Sequence, residues 1–292
     1  MNPKFGTAGN SDSFYSSGLG STIQAPEYLF KMGLTAYEYQ GGRGIQIGEE
    51  KSKVLGKKAR AFGIVLSVHA PYYISLSGIE EEKRLGSIKY ILQSARAARW
   101  MGATRVVIHA GSASKISRTE ALDLAKQTLR LALNELDSEG LSDIHICPET
   151  MGKTNQLGSM EEVVEMCKLD ERLIPCIDFG HLNARSFGGL NSQQAFEQIF
   201  DIIENNLGIE RLRNFHSHFS KIEYTQKGGE KRHLTFEDEI YGPNFEPVAN
   251  LIVKKDCSPV FICESSGTQA EDAVTMKNIY LAELQRVNGE LL

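Results

Sequence analysis

The sequence predicts a single-domain α/β protein, a (β/α)8 TIM barrel over residues 1–292, from three observations. Strand-like and helix-like segments alternate from end to end. No linker or low-complexity tract divides them. Six metal-type side chains, His69, His109, Glu149, Asp178, His216 and Glu264, stand at the carboxyl ends of successive strand-like runs. In a parallel barrel those ends converge on one face, so residues far apart in sequence meet as one cluster of nitrogen and oxygen ligands.

Strands are expected to begin near Phe5, Tyr37, Val65, Val106, Ile144, Ile174, Phe215 and Val260, where short apolar runs occur. Helical stretches lie between them: Pro26 to Met32, Glu49 to Phe62, Glu82 to Met101, Thr119 to Leu136, Met160 to Lys168, Ser192 to Asn205, Glu246 to Val253 and Gln269 to Val287. The third reads most clearly, because Leu85, Ile88, Ile91, Leu92, Ala95 and Ala98 recur at helical spacing. Unbroken strand-then-helix units favour a closed parallel barrel over an open doubly wound sheet. Gly41-Gly42-Arg43-Gly44 follows a strand, yet neither a dinucleotide fingerprint nor a phosphate loop is present, so no nucleotide cofactor is expected.

The composition, 41% hydrophobic and 24% charged in 292 residues, suits one enzyme-sized barrel with a sizeable core. No run approaches the ~20 apolar residues of a membrane span, and the first residues lack the apolar core of a signal peptide, which predicts a cytoplasmic protein. The cysteines form no C-x-x-C pair, and Cys147, Cys176 and Cys263 fall inside strand-like runs, as buried free thiols do.

Most of the histidines fall at the strand ends or in the loops beyond them: His69, His109, His181, His216, His218 and His233, with only His145 elsewhere. Asp178-Phe179-Gly180-His181 places a carboxylate and an imidazole three residues apart across a turn that its glycine permits. His216 and His218, two apart on one strand, share a face. His216 is taken as the ligand; His218 is open to three roles, a ligand, a support for a ligand or a substrate contact, of which the last two are favoured.

These residues resemble the endonuclease IV family of apurinic/apyrimidinic endonucleases, within the wider xylose-isomerase-like barrels. The resemblance is carried in order by His69 with Pro71-Tyr72-Tyr73, by His109-Ala110-Gly111, by Pro148-Glu149-Thr150-Met151-Gly152-Lys153 with Gln156-Leu157-Gly158, by Cys176-Ile177-Asp178-Phe179-Gly180-His181, by His216-Ser217-His218-Phe219-Ser220-Lys221, by Arg232-His233 and by Glu264. It implies a cluster of zinc ions, two or three with manganese as the alternative, held by His69, His109, Glu149, Asp178, His181, His216, His233 and Glu264, with Glu149 bridging two ions. It also implies hydrolysis of the phosphodiester 5′ to an abasic site in double-stranded DNA. Tyr72 and Tyr73 fall where the family carries residues that enter the duplex, and Arg43 lies near another such position.

The chemistry is coherent without the family. Phosphodiester cleavage needs a strong nucleophile at neutral pH and neutralisation of the departing oxygen, and clustered divalent ions supply both. No G-x-S-x-G elbow points to a serine hydrolase instead. The alternative is a sugar or sugar-phosphate isomerase or epimerase on the same barrel, for which one ion suffices and His181 and His233 are superfluous. The net charge of −5 gives no general attraction to DNA, so binding relies on loop cations such as Arg118, Lys153, Arg185, Lys221, Lys231 and Arg232.

One departure stands out. Where the family has Asp-Arg-His, this chain reads Lys231-Arg232-His233, and an ammonium has no lone pair to offer a metal. The third ion is therefore expected on His181 and His233 with water or a nearby carboxylate, Glu230 or Glu237, and is held more weakly than the others. The other possibility is that the Lys231 ammonium itself meets the phosphate.

Overall fold

A computed structural model describes residues 2–113 and 115–290. Parallel strands form the barrel wall: β1 (Lys4–Ala8), β2 (Ala36–Gln40), β3 (Val65–His69), β4 (Arg105–Ile108), β5 (His145–Pro148), β6 (Cys176–Asp178), β7 (His216–Phe219) and β10 (Val260–Cys263). Between β7 and β10 the chain makes an antiparallel hairpin of β8 (Ile222–Thr225) and β9 (Gly229–His233). The wall runs in the order β5-β4-β3-β2-β1-β10-β7-β6, and parallel bridges Ile146 to Leu173 and Glu149 to Cys176 close it. The expected (β/α)8 barrel is the fold.

The long helices match the spacing that predicts them. In chain order the helices are α1 (Asp12–Ser16), α2 (Ala25–Lys31), α3 (Glu49–Ala61), α4 (Glu81–Met101), α5 (Arg118–Ser138), α6 (Met160–Cys167), α7 (Phe179–Arg185), α8 (Gln193–Leu207), α9 (Ile209–Arg213), α10 (Glu246–Lys254) and α11 (Gln269–Glu290). Their ends follow local chemistry: Ser117 accepts from the Glu120 amide, Ser159 and Glu162 form a capping box, and α4 stops at Gly102 with φ 72°. Helix stripes and the outward residues of the strands make the main core, where Ile91, Leu129, Phe200 and Phe261 are buried. All five cysteines are buried free thiols. Among the described residues no helix is long and apolar enough to cross a membrane.

The barrel interior decides where the chemistry lies. Ala36, Val260 and Ile262 pack against one another inside it, as do Val107, Cys147, Ile174 and Cys176. Side chains repeat every second residue along a strand, so Glu38, His109, Glu149, Asp178 and Glu264 also point inward, each two residues nearer the carboxyl end. The apolar layer supports a polar layer above it.

Candidate metal centre

Glu149 is the hub. Its Oε2 lies 3.0 Å from His109 Nε2 and 3.4 Å from His69 Nε2, and its Oε1 lies 3.1 Å from His218 Nδ1 and 3.3 Å from His181 Nδ1. Among the described residues donor atoms fall into four groups, each compact enough for one ion: His69, Glu149 and His218; Glu149, Asp178, His218 and Glu264; the separate group His181, Glu230 and His233; and, deeper in the barrel, Cys176, His216 and His218. His109 flanks the first through Glu149, with its ring 5.0 Å from that of His69.

A divalent ion fits these donors. Glu149 Oε2 and Asp178 Oδ2 are buried and receive no hydrogen bond, although imidazole nitrogens stand 3.0 to 3.4 Å away. Orphaned buried oxygens are costly unless something else satisfies them. One nitrogen of each of two rings is anchored on the backbone: His69 Nδ1 meets the Ala70 carbonyl at 2.8 Å, and His181 Nδ1, also close to Glu149 and Asp178, meets the Thr150 carbonyl at 3.0 Å. Each carbonyl takes the ring proton and leaves Nε2 as the donor atom. Neutral imidazole with carboxylate is a zinc or manganese donor set.

Without an ion the carboxylates and imidazoles compensate one another. Burial alone would raise the Glu149 carboxyl, but the His218 and His109 imidazoles hold it well below the ordinary range. For His181, burial opposes the charged ring, yet the Asp178 and Glu149 carboxylates lift it well above its ordinary value. Such a cluster exchanges protons for a cation, so metal binding weakens as pH falls.

Two placements differ from those expected. His216 is the first residue of β7, level with Cys176, whereas His218 is level with Asp178 and reaches Glu149. The cluster position at the carboxyl end of that strand is therefore His218, and His216 lies one layer deeper, its Nε2 2.9 Å from Glu38. Burial pushes the His216 ring down to about 4, against the pull of Glu38. Lys231 also points away from the centre, its Nζ 2.5 Å from Glu223 in an ion pair that Arg232 shares.

Glu230, one residue earlier, faces the centre with Oε2 3.4 Å from His181 Nε2. Close backbone approach puts it there. Gly229 has φ 75°, and a Cβ on it would meet the Gly152 carbonyl oxygen at 2.2 Å. A Cβ on Gly152 would in turn meet Glu230 Cβ at 2.6 Å. Of the two carboxylates expected to replace the missing aspartate, Glu230 is the one in place, and His233 completes the group with Nδ1 2.8 Å from Ser220 Oγ.

Asp178 and His181 also come together differently from the expected turn. Asp178 caps the short helix α7 (Phe179–Arg185), accepting from the His181 amide at 2.7 Å, and His181 projects from its first turn. Gly180 serves close packing rather than a left-handed turn, since a Cβ there would stand 2.4 Å from the Ser220 carbonyl oxygen.

The open pocket above the cluster, about 510 Å³, is lined by Tyr72, Lys153, Gln156 and Gln269 besides the donors. Tyr72 is 61% exposed and its ring centre lies 5.8 Å from that of His109. Tyr73 turns away to Tyr90 at 5.5 Å, lining a neighbouring groove with Ser75 and Ser77. Arg43 is exposed in the turn after β2, which is tied to the next loop by the Tyr72 amide donating to the Gly42 carbonyl at 3.0 Å. Arg118 and Arg185 are engaged by carbonyls of the loop after β5, and Lys221 by the carbonyls of Phe236 and Asp238, so these cations brace loops rather than face the pocket.

Sequence reasoning missed Glu38. It is fully buried in β2 and is bonded to Ser67 Oγ at 2.8 Å, His216 Nε2 at 2.9 Å and Gln40 Nε2 at 3.2 Å. The available signal was a lone carboxylate between two tyrosines of a strand.

Comparison with known proteins agrees with this architecture. A model of the xylose isomerase-like TIM barrel family matches residues 26–283. An uncharacterized protein of Methanocaldococcus jannaschii is 34% identical over 255 residues, 87% of this chain and 90% of that protein. A probable endonuclease 4 of Mycoplasma pneumoniae is 25% identical over 275 residues, 92% of this chain and 90% of that protein, in keeping with the resemblance carried by the strand-end residues. A solved D-tagatose 3-epimerase-like protein shares the fold with a TM-score of 0.69 at 20% identity, covering 99% of this chain and 100% of the other. With the family model spanning most of the barrel and the donors gathered at its carboxyl face, the chain belongs to the xylose isomerase-like TIM barrel family.

Proposed function

We propose that the protein is a metal-dependent phosphodiesterase resembling endonuclease IV, which cleaves double-stranded DNA on the 5′ side of abasic sites. The observation that carries this reading is the third donor group, His181, Glu230 and His233, standing beside two groups that already share Glu149. A one-metal isomerase has no use for it. When bound, zinc or manganese ions would lower the pKa of a water and neutralise charge on the phosphate.

The chain's own residues fit the rest of the task. The pocket is open enough to admit an extruded sugar, and Lys153 on its wall offers an ammonium to a phosphate oxygen. Tyr72 at its mouth presents a half-exposed ring on which a base can stack, a contact worth about 1–3 kcal/mol. Among the described residues Arg43, Lys153 and Lys227 make no ion pair, and they supply local positive charge on a chain of net charge −5. Tyr73 and Arg43 serve the duplex at the rim rather than the reacting phosphate.

A sugar isomerase or epimerase is the second reading, favoured by the group Glu149, Asp178, His218 and Glu264, which could hold one ion unaided, and by the epimerase-like fold neighbour. Metal content separates the two. Elemental analysis is expected to find two tightly held divalent ions per chain plus a third that is stripped first by chelator, and Glu230→Ala should remove the third alone. One ion or fewer in carefully prepared wild-type protein would count for the isomerase.

A further inference from the structure

We infer that Glu38 is a positioning residue for the metal centre: it accepts the Nε2 proton of His218 and so leaves that ring's Nδ1 as the donor atom beside Glu149 and Glu264. The inference rests on the proposed metal centre but not on its action on DNA. His218 Nε2 lies 2.9 Å from Glu38 Oε1, while Nδ1 lies 3.1 Å from Glu149 Oε1 and 3.4 Å from Glu264 Oε1. Without an ion Nδ1 stands in hydrogen-bond geometry to Glu149 Oε1 and the Nε2 contact is off the ideal line; an ion on Nδ1 displaces that proton, and Nε2, 2.9 Å from the Glu38 carboxylate, is then the nitrogen that carries the hydrogen.

The neighbouring rings support the same assignment. Backbone carbonyls anchor one nitrogen of His69 and one of His181, and His218 has a side-chain carboxylate in that role. A carboxylate behind a histidine fixes the ring and makes it a stronger donor. Glu38 is itself held still: Ser67 Oγ donates to its Oε2 at 2.8 Å, His216 Nε2 reaches the same oxygen at 2.9 Å, and Gln40 donates to Oε1 at 3.2 Å. It has no exposure to solvent and touches neither the pocket nor any substrate position, so it acts through His218. The deep place of His216 is thereby explained as a clamp on Glu38.

Two measurements test this. In zinc-loaded wild-type protein, nitrogen-15 spectra of the histidine rings should show His218 with hydrogen on Nε2 and metal on Nδ1; the opposite tautomer overturns the inference without any variant. In Glu38→Gln, zinc titration against a competing chelator should show affinity lowered about 10–100-fold at the ion that His218 holds and unchanged at the His181 and His233 ion. Unchanged affinity at both, or equal loss at both, overturns it. Because neither readout uses DNA, a protein that fails to incise abasic duplexes but shows this tautomer and selective loss would sink the proposed function and leave the role of Glu38 standing.

Discussion

The Glu149→Gln protein should fold, lose bound metal and lose phosphodiesterase activity by about 10³-fold, the upper end for removing one group that stabilises developing charge. Both carboxylate oxygens face imidazole nitrogens, Oε2 toward His69 and His109 and Oε1 toward His218 and the anchored Nδ1 of His181, and two metal groups share this one side chain. An amide offers one oxygen and turns an NH2 toward the other group, where it can only repel a cation. The shape is conserved, so circular dichroism should show an intact barrel while elemental analysis shows fewer ions. Activity persisting with normal metal content would remove Glu149 from the centre.

The second large effect is an asymmetry between two histidines on one strand. His218→Asn is expected to lose an ion and at least about 10²-fold in rate, comparable to the loss of one electrostatic partner of the reaction. His216→Asn is expected to keep the same number of ions and to cost about 1.5–3 kcal/mol of stability, the range for a hydrogen bond to a charged group, because Glu38 loses a buried partner. Elemental analysis and thermal unfolding of the two proteins decide it. If His216→Asn loses the metal and His218→Asn keeps it, the register of β7 against the centre is wrong.

The same pair shows how far the sequence could be read. Apolar runs ending in a histidine or carboxylate marked the barrel and most of the donors, because strand ends in a parallel barrel share one face. They did not fix where β7 ends. Reading His216 as its last residue, when the strand runs His216–Phe219, put the expected ligand one layer below the donors around Glu149, beside Cys176. A difference of two residues preserves the face and changes only the depth, so alternation could not choose between His216 and His218.

Glu38 escaped notice for a related reason. Its burial depends on barrel closure, which brings His216 and His218 from the far side of the sequence to meet β2. The β8–β9 hairpin carries charges on both faces and lacks the apolar alternation that marks a strand, so only the Gly228-Gly229 turn signalled it. Without the hairpin the choice between Glu230 and Glu237 stayed open. Its pairing to the loop after β5, through the Lys153 and Gly229 bridge, makes that choice. Among the rim cations, charge was visible in sequence but engagement was not: Arg118 and Arg185 read as DNA contacts and are loop braces.

The most direct measurement is incubation of the pure protein with a duplex bearing one abasic site, with and without chelator, and identification of the product ends. Incision on the 5′ side, leaving a 3′-hydroxyl, lost with chelator, restored by zinc or manganese and weakened by salt and by Tyr72→Ala, is the expected result. Metal-loaded protein that leaves this DNA intact while interconverting a ketose and an aldose would contradict the account.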